Sequence, residues 1–129
     1  MRHLWLTLLL SLSPAVAVLQ PGATSANEPA NEPFACNIGA LSKSERMRQA
    51  ELSRQLLAGV RAKRELADGY ALELSPALWL PAARWADLER RCCPFFAFEL
   101  AAAGHGGPLW LRITGLPGAK AFMHNELGL

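Results

Sequence analysis

The apolar and polar positions of the chain fall into three zones. The first is a continuous apolar run, Leu4 to Leu12 (LWLTLLLSL), behind the basic Arg2 and His3. Pro14 then breaks the run, and two small-residue sites follow, Ala15-Val16-Ala17 and Thr24-Ser25-Ala26. This is the layout of a cleavable leader, so residues 1–26 read as a signal peptide cut after 17 or 26. The run stops by Gln20 and Pro21, short of the about 20 apolar residues that span a bilayer. After cleavage no membrane attachment is expected. The second zone, residues 21–33 (PGATSANEPANEP), has no apolar side chain larger than alanine. It cannot offset the entropy of ordering and reads as a disordered spacer.

Periodic patterning begins at Phe34. Ser42-Lys43-Ser44-Glu45 has the spacing of a capping box, in which the hydroxyl and the carboxylate each accept a backbone N–H of the other residue. Leu52, Leu56 and Val60 then recur every four residues, which predicts a helix to about Arg64. Arg61, Lys63 and Arg64 would occupy its last turn, where the helix dipole favours cations. Asp68-Gly69 signals a turn, and Tyr70, Leu72 and Leu74 alternate as in a strand. A second helix is predicted over 81–92, with Trp85, Leu88 and Cys92 on one face. Pro94 stops it by forcing Cys93 toward extended geometry.

Phe96, Phe98 and Leu100 alternate, then Leu109, Leu111 and Ile113, with a glycine-rich turn at 104–108 between them. These two strands should form an antiparallel hairpin. A last helix over 117–127 presents Phe122, Met123 and Leu127. The expected fold is one small α+β domain, residues 34–129. Its order is α-β-α-β-β-α, a mostly antiparallel sheet with helices on one face. Trp79, Trp85 and Trp110 are expected in or at the edge of the core.

Charge adds little. Thirteen Lys and Arg against eleven Asp and Glu leave +2, with no basic stripe for nucleic acid. No G-x-S-x-G, H-E-x-x-H or phosphate-binding glycine loop occurs. The residues therefore assign no catalytic role and no organic cofactor, and they leave any protein partner open.

The chemistry sits in the three cysteines, Cys36 and the adjacent Cys92-Cys93. Two readings compete. In an oxidising compartment, the periplasm or outside the cell, one disulfide from Cys36 to Cys92 or Cys93 would staple a non-enzymatic module across about 55 residues. As free thiolates, Cys36, Cys92 and Cys93 would instead bind a soft metal ion or metalloid, Hg, Cu or As. The second is preferred. Thiol redox work ranks third, because no C-x-x-C is present. His105 and His124 are further potential ligands, though a solvated histidine is the simpler account of each.

Ala35-Cys36, Asp68-Gly69-Tyr70, Glu89-Arg90-Arg91-Cys92-Cys93-Pro94-Phe95 and Gly106-Gly107-Pro108-Leu109-Trp110-Leu111 together carry a resemblance. From Phe34 on, the chain resembles an uncharacterised family of small bacterial proteins with a Cys…Glu-Arg-x-Cys-Cys-Pro-Phe…Gly-Gly-Pro-x-Trp-Leu pattern. The resemblance implies the domain limits and no mechanism. Members without a leader would keep these cysteines reduced, which implies a thiol-ligand role for them.

Overall fold

The computed structural model describes residues 34–129. The leader over 1–26 and the spacer over 21–33 lie outside the described residues. The elements in chain order are α1 (Lys43–Ala58), β1 (Val60–Leu66), β2 (Gly69–Leu74), α2 (Trp79–Cys92), β3 (Phe96–Ala102), β4 (Leu109–Gly115) and α3 (Ala119–Leu127). The class is α+β, as the patterning predicts, with one strand more than expected.

That strand corrects the reading of 59–66. The capping box forms: Ser42 Oγ accepts the Glu45 N–H at 3.2 Å and the Glu45 carboxylate accepts the Ser42 N–H at 2.8 Å. The helix nevertheless ends at Ala58, where Gly59 caps it by donating its N–H to the Gln55 and Leu56 carbonyls. β1 follows at once and pairs antiparallel with β2 around the two-residue turn Ala67-Asp68. Arg61, Lys63 and Arg64 thus cap no helix; they stand exposed on an edge strand. Charged side chains there discourage pairing with another chain's edge. Backbone pairing with β2, not an apolar pattern, makes this segment a strand.

The four strands lie in the order β1-β2-β4-β3, each pair antiparallel. Register places Tyr70, Leu72 and Leu74 opposite Ile113, Leu111 and Leu109. Phe98 and Leu100 continue two of these rows across β4. This face meets Leu52 and Leu56 of α1, Trp85 and Leu88 of α2 and Met123 of α3 in one buried cluster. Each fully buried leucine stabilises by about 2 kcal/mol. At Gly69 a Cβ would fall inside contact distance of the Ile113 carbonyl. The close approach of β2 to β4, rather than the turn alone, therefore requires glycine.

Of the three tryptophans, Trp85 is buried and donates Nε1–H to Ser53 Oγ at 2.7 Å. Trp79 is 42% exposed at the start of α2, contrary to the core-edge expectation. That helix turns Ala82, Trp85 and Ala86 inward instead. Trp110 lies on the opposite sheet face beneath the Arg64 guanidinium, 4.3 Å from the ring centroid. Leu129 is buried in the core, after a left-handed Gly128.

Candidate functional site

Three segments bring the sulfurs together. Cys92 is the last residue of α2 and its side chain continues the buried Trp85 face. Cys93 leaves the helix at φ −120°, ψ 76°, while its N–H still donates to the Glu89 carbonyl at 2.6 Å. The Phe96 N–H then donates to the Cys93 carbonyl at 3.1 Å, closing a tight turn over Pro94. Adjacent side chains normally diverge. Here the change of backbone direction buries both, at 5% and 1% exposure.

Cys36 arrives from the N-terminal segment, and non-covalent contacts hold it there. The Phe34 ring packs 4.8 Å from Phe95, the Asn37 N–H donates to the Cys92 carbonyl at 2.7 Å, and Leu41 is buried. A 3₁₀ turn at Ile38–Ala40 leads from there into the Ser42 cap.

Cys36 and Cys93 are joined as a disulfide, with Cα atoms 4.6 Å apart and a sequence separation of 57. The separation falls in the usual 4.4–6.8 Å window. Closing a loop of this length contributes about 4 kcal/mol in the chain-entropy model. Cys92 remains a free, buried thiol. The sulfurs of Cys36, Cys92 and Cys93 all lie within 4.8 Å of one another. All three residues named from the sequence are therefore brought together. His105 and His124 are not part of this cluster. His105 is exposed in the glycine turn with φ 56°, and the His124 ring Nδ1 hydrogen-bonds the Leu129 carbonyl.

Two further groups were not assigned a role from the sequence. Glu89 is 5% exposed, one turn before Cys92 and on the same face. Gln49 of α1 donates Nε2–H to its carboxylate at 2.9 Å. Burial pushes the Glu89 carboxyl above its ordinary value, against the Gln49 hydrogen bond. Burial likewise pushes the Cys92 thiol up, helped by the charge of Glu89 and opposed by a hydrogen bond with Gln49. The legible signal was a carboxylate at a position where helical spacing from Trp85 demands an apolar residue. Gln49 gave no such signal.

The cluster forms one wall of an open cleft of about 260 Å³. Gln49 and Ser53 of α1 and Phe122, Glu126 and Leu127 of α3 line the rest. On the outer side, Arg91 donates to Glu45 at 2.6 Å and ties α2 to the capping box. That hydrogen bond and those from Ser42 hold the Glu45 carboxyl down at about 2.

Fold and site together define a small α+β domain, stapled by one disulfide, with a third cysteine against the bond. Disulfides of this kind form and persist in oxidising compartments. Among the described residues no helix is long and apolar enough to cross a membrane. No protein-family model, curated protein or solved structure matches the chain.

Proposed function

We propose that this is an exported protein, periplasmic or secreted, that captures one soft metal ion or metalloid through Cys36, Cys92 and Cys93 when the bond is reduced. The observation that carries the reading is the mutual 4.8 Å limit on the three sulfurs. Metal–sulfur bonds of about 2.3 Å place sulfurs around one ion about 4 Å apart. Opening the disulfide and a small adjustment bring the triangle to that size. The Phe34, Asn37 and Leu41 contacts keep Cys36 at the cluster without the covalent bond. Thiolates select Hg(II), Cu(I) or As(III) over Mg(II) and Ca(II). Because both adjacent cysteines face inward, a three-coordinate ion is accommodated as well as a two-coordinate one.

Competitive titration of reduced protein against a thiol chelator tests this, for wild type and for Cys36→Ser, Cys92→Ser and Cys93→Ser. One ion per chain is expected, with weaker binding in each variant. Equal weak binding by all four proteins sinks the reading. The bond itself favours a second one, a non-enzymatic interaction module stapled by Cys36–Cys93, and that account would then stand.

A further inference from the structure

The three sulfurs differ in access. Cys36 is half-buried on the N-terminal segment, whereas Cys92 and Cys93 are nearly closed to solvent. The cleft places apolar Ala50, Phe122 and Leu127 and polar Gln49, Ser53 and Glu126 around the bond. Exchange rates at a disulfide depend on which sulfur an incoming thiolate can reach. We infer that the Cys36–Cys93 bond is a directional thiol–disulfide exchange site: a thiol-bearing substrate enters through this cleft and attacks at Cys36, and Cys92 serves as a second resolving thiol.

The chemistry balances with the substrate as the only co-reactant. The substrate thiol loses its proton to solvent, and its thiolate attacks Cys36 Sγ. The Cys36–Cys93 bond breaks, its electron pair passes to Cys93 Sγ, and Cys93 takes a proton. The products are a mixed disulfide on Cys36 and a Cys93 thiol. If the substrate is a dithiol, its second thiolate attacks its own sulfur in the mixed disulfide and expels Cys36. The substrate has then lost two electrons and two protons, and the protein has gained both. If the substrate is a monothiol, a protein thiolate attacks Cys36 Sγ, the bond from Cys36 to the substrate sulfur breaks, and the substrate leaves as its thiolate with the electron pair. Cys93 restores the original bond. Cys92, within 4.8 Å of both partners, forms Cys36–Cys92 instead. The contacts that hold Cys36 without the bond favour reclosure over loss of the segment.

This activity needs no metal, so it is measured with a chelator present and its outcome is separate from the titration. Oxidised wild-type protein is mixed with 2-mercaptoethanol, quenched with acid and mapped by mass spectrometry. The adduct is expected on Cys36, and an adduct on Cys93 overturns the proposal. Mild oxidation of Cys93→Ser should yield a Cys36–Cys92 bond, and its absence in folded protein overturns the role of Cys92. The symmetrical disulfide of 2-mercaptoethanol is then reacted with Cys92→Ser/Cys93→Ser and with Cys36→Ser/Cys92→Ser. The first, keeping Cys36, should react at least about tenfold faster than the second, keeping Cys93, because access limits the rate. Equal rates overturn the directionality. Circular dichroism establishes folding, and if a double variant is unfolded the wild-type adduct map decides.

Discussion

At the end of α2 a buried carboxylate and a buried thiol sit together, with Glu89 accepting a hydrogen bond from the half-buried Gln49 and Cys92 beside them. On the uncovered face of the sheet, Arg112 reaches Glu99 at 2.8 Å and both stay largely solvated. Each region contains a glutamate carboxylate that accepts a hydrogen bond from a side-chain nitrogen. In the first, burial alters what each group is: the acid and the thiol both resist ionising. In the second, water screens the groups, and an exposed pair contributes about 0–1 kcal/mol. The Cys36–Cys93 bond closes the first region covalently, and no covalent link closes the second.

The largest expected effect comes from opening the closed region. Cys36→Ser should lower stability by up to about 4 kcal/mol relative to oxidised wild type, the loop-closure contribution for this separation. The Phe34, Asn37 and Leu41 contacts remain in the variant. Urea unfolding of Cys36→Ser should therefore coincide with that of reduced wild type. A variant far less stable than reduced wild type would mean that Cys36 packs as more than half of a staple.

A smaller effect of opposite sign is expected at Glu89. Its carboxyl titrates above the unfolded value in the fold, because burial disfavours the charge. The folded protein thus holds this proton more tightly, and ionisation costs stability as pH rises above the unfolded value. Glu89→Gln keeps an oxygen to accept from Gln49 and cannot ionise. It should be more stable than wild type at pH 7 by on the order of 1 kcal/mol, the usual scale of a single buried polar exchange. The gain should fade as pH falls toward 4, where the wild-type carboxyl is protonated in both states. Thermal unfolding of both proteins across that range checks the sign, and a constant difference would refute the ionisation account.

Legibility in the sequence followed the same division between buried and exposed. β3 and β4 alternate because one face of each is buried: Leu109, Leu111 and Ile113 face the helices while Trp110, Arg112 and Thr114 face away. β1 was not legible. Residues 61–65 are all exposed, so no burial writes a period of two into them, and Val60 continued the α1 pattern by coincidence. Convergence of Cys36 on the pair was legible from a lone thiol and two neighbours. The choice of Cys93 over Cys92 was not, because it depends on where the backbone turns as α2 ends. Glu89 carried only a faint mark, a carboxylate four residues after the core Trp85, and nothing pointed to Gln49 of α1 as its partner.

The smallest effect belongs to the open face, and it tests whether that face is as loosely held as its exposure implies. Arg64 of β1 reaches across β2 to lie over Trp110 of β4. β2 offers Ala71 between them, paired on one side with Arg64 and on the other with Arg112. A larger residue at 71 would block that reach, and Ala71 is itself only 5% exposed. The guanidinium over the ring should contribute about 0.5–1 kcal/mol, the range for exposed cation–π pairs. Its worth lies in tying an edge strand that buries no side chain fully to the strand two places away. A double-mutant cycle of Arg64→Ala and Trp110→Ala should give a coupling of that size. Part of the attraction is ring contact, so the coupling should persist in molar salt, where the Arg112–Glu99 pair loses most of its Coulomb energy. If the Arg64–Trp110 coupling also vanishes in salt, the stacking adds nothing and charge alone orders the open face.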